Sequence, residues 1–549
     1  MRRRLLTNAT PPPTIYYTTT DGVQISDANT RLSSYIVSHT QEDNGEFKIV
    51  LKKNITTISD YSFRSTSISS MRFENMENIT SIGNEVFYNC TGLQSIDLSG
   101  LSQVTKIGDY FLSRCKGLTT VDLSPLSQVT SIGNSFLYYC SGLQSIDLSP
   151  LSQVTSIGNY FLSSCLSLQT IDLTPLSQVT SIGTYFLQYC TGLTSIDLTP
   201  LSQVTKIGEN FLSSCKGLTT VDLTPLSQVK SIRNYFLSEC LSLQSIDLSG
   251  LSQVTTIGDN FLYNCSSLQS IDFTPLSQVT SIGNGFLNQC PSIETLIFGD
   301  MPYLTALPGV LRGSSLPFRS TLKHIELGNM PSVTSIGDNF LYQCSKLTSI
   351  DLSGLTQVTS IGNYFLQGCS GLQSIDLTPL SQVTSIGNEF LSSCSKLKSI
   401  DLSGLSKITS IGYSFLFECS SLQTIDLTPL SQVTSIGYSF LYRCSSLQTI
   451  DLSPLNQVTS IGNAFLYGCS SLTSIDLSPL SKVTTIGTNF LSYCSGLQTL
   501  TMPNTTDITS IGSGYLYSCS KLSIIYCPTG TLEFYKQLMP NRASIMVEL

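Results

Sequence analysis

Two residue types recur at a nearly fixed interval and carry most of the chemistry this chain offers. Seventeen of its 18 cysteines fall in one column, Cys90, Cys115, Cys140, Cys165, Cys190, Cys215, Cys240, Cys265 and Cys290, which resumes at Cys344 and runs to Cys519. Fourteen aspartates form a second column: Asp97, Asp122, Asp147, Asp172, Asp197, Asp222, Asp247 and Asp272, then Asp351, Asp376, Asp401, Asp426, Asp451 and Asp476. Repeated thiols raise disulfide or metal chemistry, and aligned carboxylates raise divalent cations or a basic partner.

Both columns have a plainer reading. Equivalent side chains on adjacent coils lie roughly 4.7–4.9 Å apart, whereas bridged Cβ atoms prefer about 3.5–4.5 Å, so pairing the thiols would compress the stack. No CxxC pair occurs and no histidine accompanies each thiol, so the cysteines are expected to be free and buried as small hydrophobes. Carboxylates stacked at ~4.8 Å repel by about 1 kcal/mol per neighbour even at the dielectric of water. A cation ladder along Asp97 to Asp272 would relieve this, yet one carboxylate per coil falls short of the several oxygens calcium takes. Hydrogen bonds from Ser and Thr such as Ser145 and Ser149 are the preferred account, and no cofactor is expected. Catalysis finds no support: the only histidines, His39 and His324, lie outside the regular coils. A uniform row of aspartates also lacks the two distinct environments that split acid from base.

Stepping along one coil shows what must hold these columns in line. In Leu143 to Cys165 the inward residues are Leu143, Ile146, Leu148, Leu151, Val154, Ile157, Phe161, Leu162 and Cys165. Ile146-Asp147-Leu148 alternates as a half-buried strand, Pro150 turns the chain, and Val154 to Ile157 forms a shorter strand ended by Gly158. Glycine there suits a positive φ or a close backbone approach. Apolar spacing over Asn159 to Cys165 predicts a helical turn or two, with Asn159 near the N-cap. The isoleucine of the second strand recurs from Ile58 to Ile511, with Leu307 standing in once, which makes nineteen coils of mostly 25 residues. Such a period defines a solenoid, in which neighbouring repeats supply one another's core.

Composition narrows the partners. With 41% hydrophobic and 12% charged residues and a formal charge of −8, the chain has ample core but no basic stripe, which argues against nucleic acid. No run approaches the ~20 apolar residues that span a bilayer, so membrane insertion is not expected. Residues 1–20 are expected to be a flexible leader, because Thr7, Asn8 and Pro11-Pro12-Pro13 interrupt the basic start before a signal-like apolar stretch forms. Residues 21–54 should cap the first coil, residues 55–520 form the solenoid, and residues 521–549 close it, with a helix over Leu532 to Leu538 and a strand over Ile545 to Leu549. One longer coil, near residues 291–320, interrupts the rhythm. A basic group lies in and just after it, Arg312, Arg319, Lys323 and His324, and is a candidate recognition loop or a tolerated insertion.

The unit Leu-x-x-Ile-x-Leu, Val-Thr-Ser-Ile-Gly, Phe-Leu-x-x-Cys closely resembles the BspA-like, or Treponema-type, leucine-rich repeats over residues 55 to 519. Tyr526-Cys527-Pro528-Thr529-Gly530-Thr531 is similar to that family's closing cap. The resemblance implies a surface or secreted protein used in adhesion, with a protein or glycan ligand spread along several coils. The absence of a visible signal peptide keeps a second reading open, an intracellular protein-interaction scaffold. A third is a structural or ice-binding protein using hydroxyl rows such as Thr155 and Ser156. Besides the aspartates and the basic group, a set of tyrosines (Tyr110, Tyr138, Tyr160, Tyr185, Tyr442 and Tyr467 among them) either offers contact area or covers gaps between coils.

Overall fold

The repeat pattern builds its core from one kind of contact, each coil lying on the next. The computed structural model describes residues 10–307 and 318–549, in two compact units divided between Leu268 and Gln269. Within each unit successive coils stack in register, so that every inward position becomes a column of identical side chains. Phenylalanine rings show this most directly. Phe161, Phe186, Phe211 and Phe236 lie ring on ring at 5.3–5.8 Å, and Phe340 to Phe490 repeat the arrangement in the second unit. Leu162, Leu187 and Leu212 are equally buried beside them.

The short second strands form parallel ladders, as Ser156–Ile157, Ser181–Ile182 and Lys206–Ile207 do in the first unit and Ser335–Ile336, Ser360–Ile361 and Ser385–Ile386 in the second. Gly183 follows such a strand with its N–H on the carbonyl of Ile157 at 2.9 Å. A Cβ at this position would stand 2.6 Å from the Gly158 carbonyl carbon and 2.7 Å from the Asn159 nitrogen. Close approach between coils, rather than positive φ, is therefore what demands glycine.

Most regular coils have their short helical element, a 3-10 turn, at Ser149–Leu151 and its equivalents, with proline or glycine at the middle residue; Ser353–Leu355 and Ser478–Leu480 make a plain turn instead. The stretch Asn159 to Cys165, where apolar spacing suggests helix, takes another course. Tyr160, Leu162 and Ser164 are left-handed at φ 57°, 50° and 62°. Their N–H groups bond the neighbouring coils: Tyr160 to Thr184 at 2.7 Å, Leu162 to Phe136 at 3.0 Å and Ser164 to Gln188 at 2.6 Å. A helix would have spent these donors within one coil; the alternation spends them on stacking.

The ends differ from the middle. Thr14–Thr19 lies between Phe47–Leu51 and Ile68–Glu74 in an antiparallel sheet whose outer strand is Ile36–Gln41, and Ser95–Asp97 joins it in parallel. The leader expected over residues 1–20 is thus corrected from Thr14 onward, because Ile15 and Tyr17 alternate inward and are buried. At the other end the helix Leu532–Leu538 and the strand Met546–Glu548 occur where the sequence places them, the strand pairing with Ile524–Cys527.

Candidate functional site: the aspartate face

Each aspartate of the column sits just before the coil's turn, 3-10 in most coils, and accepts its backbone N–H. Asp147 Oδ1 accepts the Ser149 N–H at 2.8 Å, and the same bond at the same length recurs from Ser99 to Asp97, Thr199 to Asp197, Thr378 to Asp376 and Ser478 to Asp476. Hydroxyls add to it: Thr174 Oγ1 donates to Asp172 at 2.5 Å and Thr378 Oγ1 to Asp376 at 2.7 Å. Aspartate recurs because a short acceptor two residues ahead of the turn amide satisfies it locally.

These bonds hold the carboxyls of Asp147, Asp172, Asp197, Asp376 and Asp426 below the usual carboxylate range, the side-chain hydroxyl contributing most and the backbone N–H next. A pKa depressed by folding adds stability above the unfolded value of about 3.9, and that stability is lost as pH falls through the folded value. The urea midpoint is therefore expected to drop between pH 5 and pH 2.5. A midpoint that stays constant or rises would show that relief of repulsion between coils outweighs the lost turn bonds.

The sheet that carries the aspartates is uneven. Three-residue ladders form where the neighbour is not acidic: Asp97 opposite Arg72, Asp272 opposite Ile297, and Asp476 opposite Thr501. Where aspartate faces aspartate within a unit, the described residues show no such strand pairing, only isolated bridges at Asp222 with Asp247 and Asp376 with Asp401. The turn bond is present in both situations, so it does not account for the difference. Backbone bonds still link these coils, as from Gln144 to Thr119 at 2.9 Å, and both isolated bridges join one aspartate to another. The face is thus exposed, acidic and loosely laddered along its regular coils.

Other candidates are placed as follows. Arg312 lies outside the described residues. Lys323 pairs with Glu294 at 2.9 Å, Arg319 donates to Gln343 Oε1 at 3.0 Å, and His324 is exposed on the strand His324–Glu326. Tyr160 stacks on Tyr185 at 4.3 Å and Tyr442 on Tyr467 at 4.5 Å, so these rings cover successive coils. Among the described residues the cysteines form no disulfide and are buried. Cys140, Cys165 and Cys190 donate to carbonyls 28 residues back, and burial pushes the thiols of Cys140 and Cys190 up to about 12, away from thiolate chemistry. No group of three or more His, Cys, Asp or Glu among the described residues is placed to hold a metal ion. No described helix is long and apolar enough to cross a membrane.

One cluster was not visible in the sequence. His39 accepts or donates at both ring nitrogens, Nδ1 to Asp27 Oδ1 at 2.5 Å and Nε2 to the Tyr17 hydroxyl at 2.7 Å. The order resembles a nucleophilic relay, but Tyr17 is buried, its oxygen already accepts the Ile25 N–H at 3.1 Å, and burial pushes its phenol up to about 12. It acts as a clasp across the N-terminal cap. Residues 12 and 22 positions apart converge here only through strand pairing, which no local pattern records.

Comparison with known proteins agrees with the coil geometry. A leucine-rich repeat protein from Bacteroides ovatus is 18% identical over 94% of this chain and 98% of its own, with a TM-score of 0.30. A leucine-rich cell surface protein from Faecalibacterium prausnitzii is 16% identical over 92% and 98%, with a TM-score of 0.28. The functional domain of InlJ from Listeria monocytogenes, described as including a cysteine ladder, is 17% identical over 82% and 73%, with a TM-score of 0.26. No curated protein matches the chain. The BspA type leucine-rich repeat region matches six times, over residues 16–126, 56–194, 123–226, 180–304, 318–448 and 409–545. By these matches, and by the stacked coils they coincide with, the chain belongs to the BspA-type leucine-rich repeat family.

Proposed function

We propose that this protein is a non-enzymatic adhesion solenoid that receives a basic protein partner along its aspartate face, over several coils at once. Leucine-rich repeat solenoids generally bind proteins through extended surfaces. The observation that carries the reading is the aspartate column itself: carboxylates fixed by their turns, exposed, and lying on strands that do not close into a ladder where aspartate meets aspartate. Many modest contacts spread over rigid repeats suit adhesion, where avidity matters more than one deep pocket. Arg319, Lys323 and His324 would mark the end of the acidic run at Asp351 and orient the partner.

Location separates this reading from an intracellular scaffold. Labelling intact producing cells with a membrane-impermeant amine reagent is expected to modify the protein without lysis. Modification seen only after lysis would exclude adhesion.

A further inference from the structure

The second-strand face, away from the aspartates, is built almost wholly from Thr and Ser, and in the first unit it is interrupted at one place by three cations on adjacent coils. Lys206 stands where other coils have serine, as at Ser156 and Ser181; Lys230 stands where they have threonine; Arg233 stands where they have glycine. With Thr205, Gln228, Ser231 and Gln253 they line an open cavity of about 780 Å³. None of the three forms an ion pair among the described residues.

The second-strand ladder opens at the same place. A Cβ in the glycine column meets the preceding coil's backbone, at 2.5 Å from the Gly183 carbonyl carbon in the case of Gly208. Arg233 carries such a Cβ, and Lys206–Ile207 and Ser231–Ile232 fall in separate sheets. The inter-coil bonds that Thr205 and Gly208 make to Thr180 and Ile182 have no counterpart at Lys230 and Arg233. Lysine alone does not open the stack, since Lys106 pairs regularly with Ser131. The ladder also opens between Ser131–Ile132 and Ser156–Ile157, but there the neighbouring Thr130, Thr155, Gly133 and Gly158 are uncharged. It opens as well between Ile386 and Ser410 and between Ile436 and Ser460; among the described residues, the opening at Lys206, Lys230 and Arg233 coincides with a cluster of cations in no ion pair.

We propose that this opening binds an acidic oligosaccharide, one bearing sulfate or carboxylate groups. The cations supply charge-assisted bonds to the anionic groups, and arginine adds a planar two-pronged donor. Gln228, Gln253, Thr205 and Ser231 supply neutral donors and acceptors for sugar hydroxyls. Coils advance by ~4.8 Å, comparable with the advance of one sugar along a chain, so cations on adjacent coils meet successive sugars. The lining contains no aromatic ring on which bases would stack, which disfavours nucleic acid.

The test is calorimetric titration of the full chain with a heparin octasaccharide, its desulfated form, and a single-stranded oligonucleotide of equal charge. The variant Lys206→Ser, Lys230→Thr, Arg233→Gly places at each position the residue other coils hold there, and so is built to fold; Lys106→Ser removes one similar charge elsewhere. The native chain and Lys106→Ser should bind the octasaccharide alike, more weakly as salt rises. The triple variant should lose about tenfold or more, and desulfation, which leaves only the carboxylates, should weaken binding of the native chain. Equal binding by the triple variant, no binding by the native chain, or equally tight binding of the oligonucleotide would overturn the proposal.

Discussion

Phe186→Ala is expected to destabilise the first unit by about 3–5 kcal/mol, the range for deleting a fully buried ring from a core that relaxes only partly. The ring is 0% exposed and lies 5.8 Å from Phe161 and 5.4 Å from Phe211 at interplanar angles of 6° and 9°, so its removal leaves a gap in the column between two neighbouring coils. Because each coil mainly contacts its neighbours, the damage should be local. Hydrogen exchange should rise first in the amides that link this coil to its neighbours, those of Leu187 and Leu212, while the N-terminal cap stays protected. Denaturant unfolding measures the total. A loss below about 1 kcal/mol would mean that the stacked rings are not the main support of the coils.

How far the sequence foretold this depends on whether a feature is local to one coil or shared between two. Ile146, Leu148, Val154, Phe161 and Cys165 are inward because their spacing within one coil already demands it. The caps were legible for the same reason, except that Thr14–Thr19 looked like part of a leader until its sheet partners were known. The left-handed Leu162 was not legible: a leucine at positive φ costs roughly 1–2 kcal/mol locally and is repaid by a bond to Phe136 one coil away. The interrupted aspartate sheet was likewise hidden, since alternation within one coil foretells a strand but not whether it pairs with the next. The turn bond from Ser149 to Asp147 explains why the acid persists in coil after coil at no gain in pairing.

The cysteines changed most in meaning. Seventeen aligned thiols promised chemistry, yet most donate their S–H to a carbonyl within the core, as Cys215, whose thiol burial raises, does to Leu187 at 3.1 Å. Function is left to the outward positions.

Replacing Asp351, Asp376, Asp401, Asp426, Asp451 and Asp476 by asparagine tests the acidic face with little risk to the fold, because the amide oxygen can still accept the turn bond that the carboxylate accepts now. Exposed charge pairs contribute about 0.2–1 kcal/mol each, so six together should weaken a basic ligand spread over these coils by at least about 10-fold. The measurement is the affinity of the full chain for a fluorescent 12-residue oligolysine, with two, four and then all six aspartates neutralised. A control neutralises Asp43, Glu77 and Asp507, exposed acids outside the column. The account predicts graded loss along the series and near-native binding by the control; affinity indifferent to the column, or falling equally in the control, would contradict it.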